Sequence, residues 1–508
     1  MFKETDKDTQ YDMFGSASSM LVGESLKEYN DKKGWHNQFR VQVTNRIDES
    51  IFKVLFSDSM GAPNASVSAL IGMMILKEAF GWSDAVMYDN CRFNLLVRSA
   101  IGLSNLTDPI PAPSTYYLLR SRMYNYKKLY GEDLMAKTFE TVTSGQVKGF
   151  KINGESLRMD SKLISSNIAF YSRYEIIHRT LVKFLKSVDT ELFRKLSTEQ
   201  RNLIELLIGE DPQKTVYHSS KDQIRKNLIP IGLLIVRLLK IYRSTIYKTS
   251  HYQLLNRVFF DQYELDGPSR VKLLDNEKID SESVQSPDDP EATFRDKGKQ
   301  KVKGYSVNVT ETVSEEGYLN LITDVDVRKA STPDTAYVKD AIKSTTKVTG
   351  KLVKKAYLDG GYQSSSSDIK GIDMVFTGIQ GNLPRYEPEL KRNKLTITDT
   401  QTGEIFMGSK TNNRKGNKSW CFIDSEGKRH YITQEALRSS QKRRELKGRT
   451  PEELRKRNNV EATIFQLSYP LKNAKSKYRG LFKQQLWAHC RCLWVNLVRI
   501  VNFEMQTC

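Results

Sequence analysis

At 508 residues, with 79 lysines and arginines against 60 aspartates and glutamates, the chain has a formal charge of +19 at pH 7. Such an excess points to a polyanionic partner, most often nucleic acid, without separating DNA from RNA. The opening MFKETDKDTQ has no apolar core, so no secretory signal is expected there and a cytoplasmic protein is expected; five cysteines without a pair of CxxC knuckles argue against a zinc ribbon and a disulfide framework.

Residues 1–44 are polar and lack sustained periodicity, which predicts a flexible arm. From Asn45 the pattern becomes helical and defines an all-helical N-terminal domain, 45–150, expected to bind DNA. Ile47, Ile51, Val54 and Leu55 recur at helical spacing, and Ser66 is placed to cap a run in which Val67, Leu70, Ile71, Met74 and Ile75 share one stripe. Ser83 and Ser114 read as further caps. The helix opened by Ser114 is basic and aromatic: Arg120 and Arg122, with Tyr116, Tyr117, Tyr124 and Tyr126, suit a phosphate backbone, although tyrosines at helical spacing equally suit a core.

The stretch GESLRMDSKLISSN, 154–167, has the period of a strand: Leu157, Met159 and Leu163 share one parity and Arg158, Asp160 and Lys162 the other. Asp160 is therefore expected on a rigid element, as a carboxylate for octahedral Mg²⁺ must be. Residues 174–300 read as a helical insertion and a loop, with no strand up to 265. Ile176, Ile177, Thr180, Leu181 and Phe184 form one helical stripe, and Leu228–Tyr242 forms a buried helix too short and too charged to cross a bilayer. The charged, Pro- and Asp-rich segment 266–301 is expected to be an exposed loop.

Strands resume at 301. Tyr305, Val307 and Val309 alternate with polar residues, as do Leu319, Leu321, Val325 and Val327 after a turn at Glu316 and Gly317. Asp334 is placed to cap a helix running to Val348; one strand then ends at Asp359 and another covers 374–377. Together 151–173 and 301–385 predict a mixed α/β sheet. Residues 386–440, with turns at Thr402-Gly403 and Glu426-Gly427, read as a β-rich insertion, and 441–508 as helices, including one through EELRKRNNVEATIFQL.

Asp359 closes its strand before Gly360 and Gly361, at the sheet edge where ligands bind. Glu461 stands four residues after Arg457, so both share a helix face, a spacing that a surface ion pair explains equally well. Three acids on strand, strand and helix could aim at one pair of divalent ions, Mg²⁺ or Mn²⁺, suited to in-line displacement at phosphorus. Asp324, Asp326, Asp368 and Asp373 are rival acids, whereas His489, Cys490 and Cys492 do not converge on one ion from a helix.

In LRMDSKLISSNI, KGYSVNVTETV, YLDGGYQS and RNNVEATIFQL, together with SALIGMMILKEAFGW and PAPSTYYLLRSRM upstream and KYRGLFKQQLW downstream, the chain resembles bacterial insertion-sequence transposases of the DDE type. The resemblance runs from about Arg46 to Ile500. It implies an RNase H-like catalytic core, two metal ions, and an acidic triad carried onto Asp160, Asp359 and Glu461. It also implies double-stranded DNA as partner and a homodimer on paired ends, in a bacterial cytoplasm at the nucleoid, with no membrane. The Tyr, Arg, Glu, Lys signature of related families keeps Arg457 and Glu461 but has Leu454 and Ser468 at its outer positions; Lys472 and Lys475 are candidate substitutes. Basic residues near the glutamate, including Arg443, Arg444, Lys456, Arg457, Lys472, Lys475 and Arg479, are expected to hold DNA phosphates. Two further functions fit the same residues: a DNA-binding regulator that has lost catalysis, and a metal-dependent nuclease that does not join strands.

Overall fold

The computed structural model describes residues 1–5, 16–57, 61–267, 270–298, 300–315, 318–364, 369–379, 383–392, 394–412 and 418–506. A mixed sheet lies at its centre. Strand β1 (Ser156–Ser165) pairs antiparallel with β5 (Gln300–Thr312) and parallel with β7 (Lys355–Leu358), which pairs parallel with β8 (Asp373–Phe376). On its other edge β5 pairs with β4 (Thr293–Lys297) and β6 (Ile322–Lys329), both antiparallel.

The period-2 expectation for β1 holds over 157–160, and it fixes the face on which Asp160 stands. Leu157 and Met159 pack with Val338, Ala341, Ala356 and Leu358 beneath the helix Val338–Thr349. Arg158, Asp160, Lys162 and Ile164 point to the opposite face, in register with Glu311, Val309, Val307 and Tyr305 of β5. Over that face lie the helices Asn459–Ser468 and Leu481–Gln506, whose Leu467, Trp487 and Leu493 share a core with Val307 and Val309.

That core continues without a break into the N-terminal helices through Phe39, Leu70, Met74 and Phe139. Residues 1–44 are thus not simply an arm: Gly23–Asn30 and Trp35–Gln42 are helices, with Phe39 and Val43 fully buried and Trp35 edge-on to Phe80 and Trp494. Trp35, Phe39 and Val43 make a short i, i+4, i+8 stripe that the polar residues around it obscured. Thr44–Arg46 and Glu49–Leu55 are 3₁₀ rather than α-helical turns. Ser66 and Ser83 cap helices as expected. Ser114 does not, because the helix Pro113–Tyr130 starts one residue earlier, with Pro113 supplying its preset φ.

The helical insertion has its own core, with Ile177, Leu181, Phe184, Ile235, Leu238 and Phe259 at its centre. A short ribbon of β2 (Tyr263–Leu265) and β3 (Val271–Leu273) closes it, so strand structure begins just inside the block read as wholly helical. Residues 266–301 are not simply an exposed loop either. Val284, Ser286, Asp289 and Ala292 are buried, the Tyr305 hydroxyl donates to Asp289 at 2.6 Å, and β4 joins the sheet before residue 301. A buried acid with tyrosine and serine donors is what a proline-rich composition cannot announce.

The β-rich insertion is an antiparallel meander of β9 (Tyr386–Lys391), β10 (Lys394–Asp399), β11 (Ile405–Asn412), β12 (Lys418–Ile423) and β13 (Arg429–Ile432). Gly403 and Gly427 have φ of 78° and 77°, the left-handed turns that only glycine adopts freely. The helix Gln434–Lys447 packs on this sheet. Glu316 and Gly317, read as a turn, lie outside the described residues. Among the described residues no helix is long and apolar enough to cross a membrane, and Cys91, Cys421, Cys490 and Cys492 are free thiols.

Gly304 tests the sheet directly, since a β-carbon there would overlap the Ile164 carbonyl oxygen and the Ser166 amide of β1 and its extension. Gly304→Ala is expected to lower the midpoint of urea unfolding by the equivalent of about 1–3 kcal/mol. Gly209→Ala, where nothing lies near the added carbon, should leave the midpoint unchanged or slightly raised.

Candidate active site

β1 and β7 are parallel neighbours in which Arg158 faces Tyr357, so Asp160 and Asp359 stand two residues further along at the same level and on the same face. Neighbouring strands are about 4.8 Å apart, which sets the two carboxylates side by side. Asp160 Oδ1 accepts the Ser161 N–H at 2.8 Å, and its side chain is only 17% exposed. Asp359 Oδ1 accepts the Gly360 N–H at 2.7 Å. Gly360 is needed here for close approach rather than for an unusual φ: a β-carbon would press on the Gly378 carbonyl of the next loop.

Glu461 reaches this pair through Arg457. The Arg457 guanidinium lies 3.0 Å from Asp160 Oδ2 and donates from its other terminal nitrogen to Glu461 Oε1. Arg457 itself is in the turn after the helix Pro451–Arg455, not inside a continuous helix. Its residue is buried, whereas the Glu461 side chain is 63% exposed. Burial raises the Asp160 carboxyl above its usual range; Arg457 and the Ser161 amide oppose the shift, and the neighbouring Asp359 adds to it. Such opposed influences on one carboxyl are common at functional sites.

Below this layer is a fully buried acid that sequence reading missed. Glu311 on β5 accepts from Arg158 Nε on one oxygen, and on the other from the Thr463 hydroxyl at 2.6 Å and Arg499 at 2.7 Å. Burial alone would raise its carboxyl, but Arg499 and Arg158 outweigh burial and hold it low. Arg158 also donates to the Lys456 carbonyl at 2.9 Å, so the turn carrying Arg457 and the helix carrying Glu461 are both fastened to the sheet that carries Asp160. The available signal was parity: Glu311 follows Val307 and Val309 on the apolar face of its strand.

The other named residues separate into groups. Lys472, Lys475 and Arg479 are exposed on the segment that runs beside the end of β1, where Ser476 N–H bonds the Ser165 carbonyl. Lys475 and Arg479 donate to the Ile168 and Asn167 carbonyls. Lys456 is exposed and Arg443 half-buried. Arg444 is tied to the insertion through the Pro388 carbonyl, while Arg120 and Arg122 lie over the Tyr116 and Phe56 rings. At the Ser468 position neither Lys472 nor Lys475 appears. Lys162 of β1 donates to the Ser468 hydroxyl at 2.7 Å instead.

Among the rivals, Asp324 and Asp326 pair in register with Thr310 and Asn308 and so face away from Asp160. Asp373 is held by Arg449 and Lys355; Asp368 lies outside the described residues. Ser161 and Arg295 both engage Asp334, which is buried near the acid pair but already charge-balanced. Among the described residues, no three His, Cys, Asp or Glu side chains are grouped closely enough to hold a metal ion. The donor chemistry of Asp160 and Asp359 nevertheless fits a hard divalent cation, and a guanidinium already bridges Asp160 to Glu461.

Against this geometry, residues 27–122 match the family model described as a transposase domain (DUF772). The match supports a transposase family and a function connected with transposition. It spans the helices from Gly23–Asn30 to Pro113–Tyr130, including Arg120 and Arg122, and none of the three acids. No curated protein and no solved structure matches the chain.

Two outcomes test the electrostatics. Glu311→Ala leaves Arg158 and Arg499 without their buried counter-charge and is expected to cost about 3–5 kcal/mol in chemical denaturation. Asp324 is pushed up to about 7 from an ordinary 3.8, by burial first and by Asp326 second. Because the folded state holds that proton more tightly, stability falls as pH rises from the lower value through the upper one. Asp324→Asn should therefore raise Tm more at about pH 8 than at about pH 4.

Proposed function

We propose that the chain is a metal-dependent DNA transposase of the DDE type, which cuts and joins phosphodiester bonds at the ends of an insertion sequence. The observation that carries the proposal is the alignment of Asp160 and Asp359 on adjacent parallel strands, with Glu461 joined to Asp160 by one guanidinium. The order β6, β5, β1, β7, β8 with β5 antiparallel to β1 supports an RNase H-like reading of the sheet. The transposase-domain match over residues 27–122 supports the class of function.

Asp160 and Asp359 would hold the first of two ions, Mg²⁺ or Mn²⁺, with Glu461 completing the second site. Bound divalent ions supply activation of the attacking oxygen and charge stabilisation at phosphorus. The chain's own residues do the rest. Ser161 N–H and Gly360 N–H orient one oxygen of each aspartate, and the other oxygen of Asp160 is held by Arg457. Arg457 holds Asp160 and Glu461 in register, and would move to phosphate when cations take its place between the acids. Lys472, Lys475 and Arg479 would track the backbone of double-stranded DNA along the end of β1, with Arg443, Arg444 and Lys456 on the adjoining arm and Arg120 and Arg122 on the N-terminal helix. A homodimer on paired ends, working at the nucleoid, follows from the resemblance.

The test is strand cleavage of DNA carrying the element's ends, with Mg²⁺ or Mn²⁺. Asp160→Ala, Asp359→Ala and Glu461→Ala should each lose about a hundredfold or more in rate while keeping affinity for the DNA. Intact affinity with no cleavage by the parent protein under any metal condition would leave a DNA-binding regulator. Cleavage without joined products after addition of target DNA would leave a nuclease.

A further inference from the structure

We infer that Lys162 is a phosphate-binding residue of the candidate active site, contacting the DNA backbone beside the acid pair from the Ser468 position. The inference rests on the proposed function for the identity of the anion. Lys162 lies two residues beyond Asp160 on β1, so its side chain leaves the sheet on the same face. It is half-buried, and its ammonium has one polar partner among the described residues, the Ser468 hydroxyl at 2.7 Å. Ser468 belongs to the Glu461 helix, two turns on from the glutamate and on its buried side. The ammonium is thereby fixed between the strand of Asp160 and the helix of Glu461.

Among the described residues no carboxylate pairs with it. Arg457 is taken by Asp160 and Glu461, Arg158 by Glu311, and Arg295 and Lys297 by Asp334. Of the two basic groups that β1 itself puts on this face, Arg158 pairs with Glu311, whereas Lys162 has no carboxylate partner among the described residues. A half-buried cation with only a hydroxyl beside it is costly unless an anion arrives. Each phosphate oxygen is such an anion, and the exposed Lys472, Lys475 and Arg479 mark a path for the strand that carries it. A purely structural tether would explain the hydrogen bond without requiring a charge, and that difference can be measured.

The experiment is DNA binding by the full chain across a salt series, with no metal present, so that it does not depend on cleavage. Lys162→Gln retains a donor for Ser468 but removes the charge; it should reduce the slope of log K against log salt by about 0.9, the value for one phosphate contact. The exchange Lys162→Ser with Ser468→Lys puts an ammonium at the same place from the helix, and should restore both the slope and the affinity. A slope unchanged in Lys162→Gln overturns the inference, as does a folded exchange variant, verified by circular dichroism and Tm, that fails to recover it. Absence of salt-dependent DNA binding in the parent protein would instead overturn the proposed function on which the identity of the anion depends.

Discussion

Everything about the acid cluster depends on a carboxylate that never meets solvent. Glu311 is fully buried between two arginines from opposite ends of the fold, Arg158 on β1 and Arg499 on the C-terminal helix, with Thr463 of the Glu461 helix completing its oxygens. Desolvating a carboxylate costs several kcal/mol, and its partners recover that only when the geometry is close and every oxygen is satisfied. The cluster therefore acts as a locator. It favours the placement of the Glu461 helix on the sheet in which Glu311 meets Arg158, Arg499 and Thr463 together.

Arg457 turns that placement into a site. With its backbone held near the sheet by the bond from Arg158 to the Lys456 carbonyl, its guanidinium reaches Asp160 on one side and Glu461 on the other. Two carboxylates on adjacent strands repel, and burial makes the repulsion stronger by removing water. A cation there is a physical requirement. Arg457 meets it in the protein alone, with one terminal nitrogen at Asp160 and the other at Glu461; under the proposed function divalent ions would take its place.

The N-terminal helices are joined to this arrangement rather than appended to it. Arg491 of the C-terminal helix donates to the Glu78 and Ala79 carbonyls at the end of the helix Val67–Phe80, and also to the Gln466 and Leu467 carbonyls of the Glu461 helix. Tyr478 adds a hydrogen bond to Glu78. The segment matched to the transposase domain and the helix bearing Glu461 thus share one guanidinium.

Much of this was legible in the sequence because it is local. Alternation along 156–165 placed Asp160 on the face opposite Leu157 and Met159, serine caps marked Val67 and Asp84 as helix starts, and glycines at 403 and 427 marked the turns of the insertion. Local pattern missed Trp35, Phe39 and Val43, whose stripe is short and set among polar residues, and it misread 266–301, where burial comes from Asp289 and its distant partners. What only the tertiary structure decided is which charges meet: Glu311 with Arg158 and Arg499, Arg457 with Asp160, and Lys162 with Ser468. Backbone periodicity acts over a few residues and leaves its record in sequence order, whereas charge pairing acts through space once packing has excluded water, and its partners are set by the path of the whole chain.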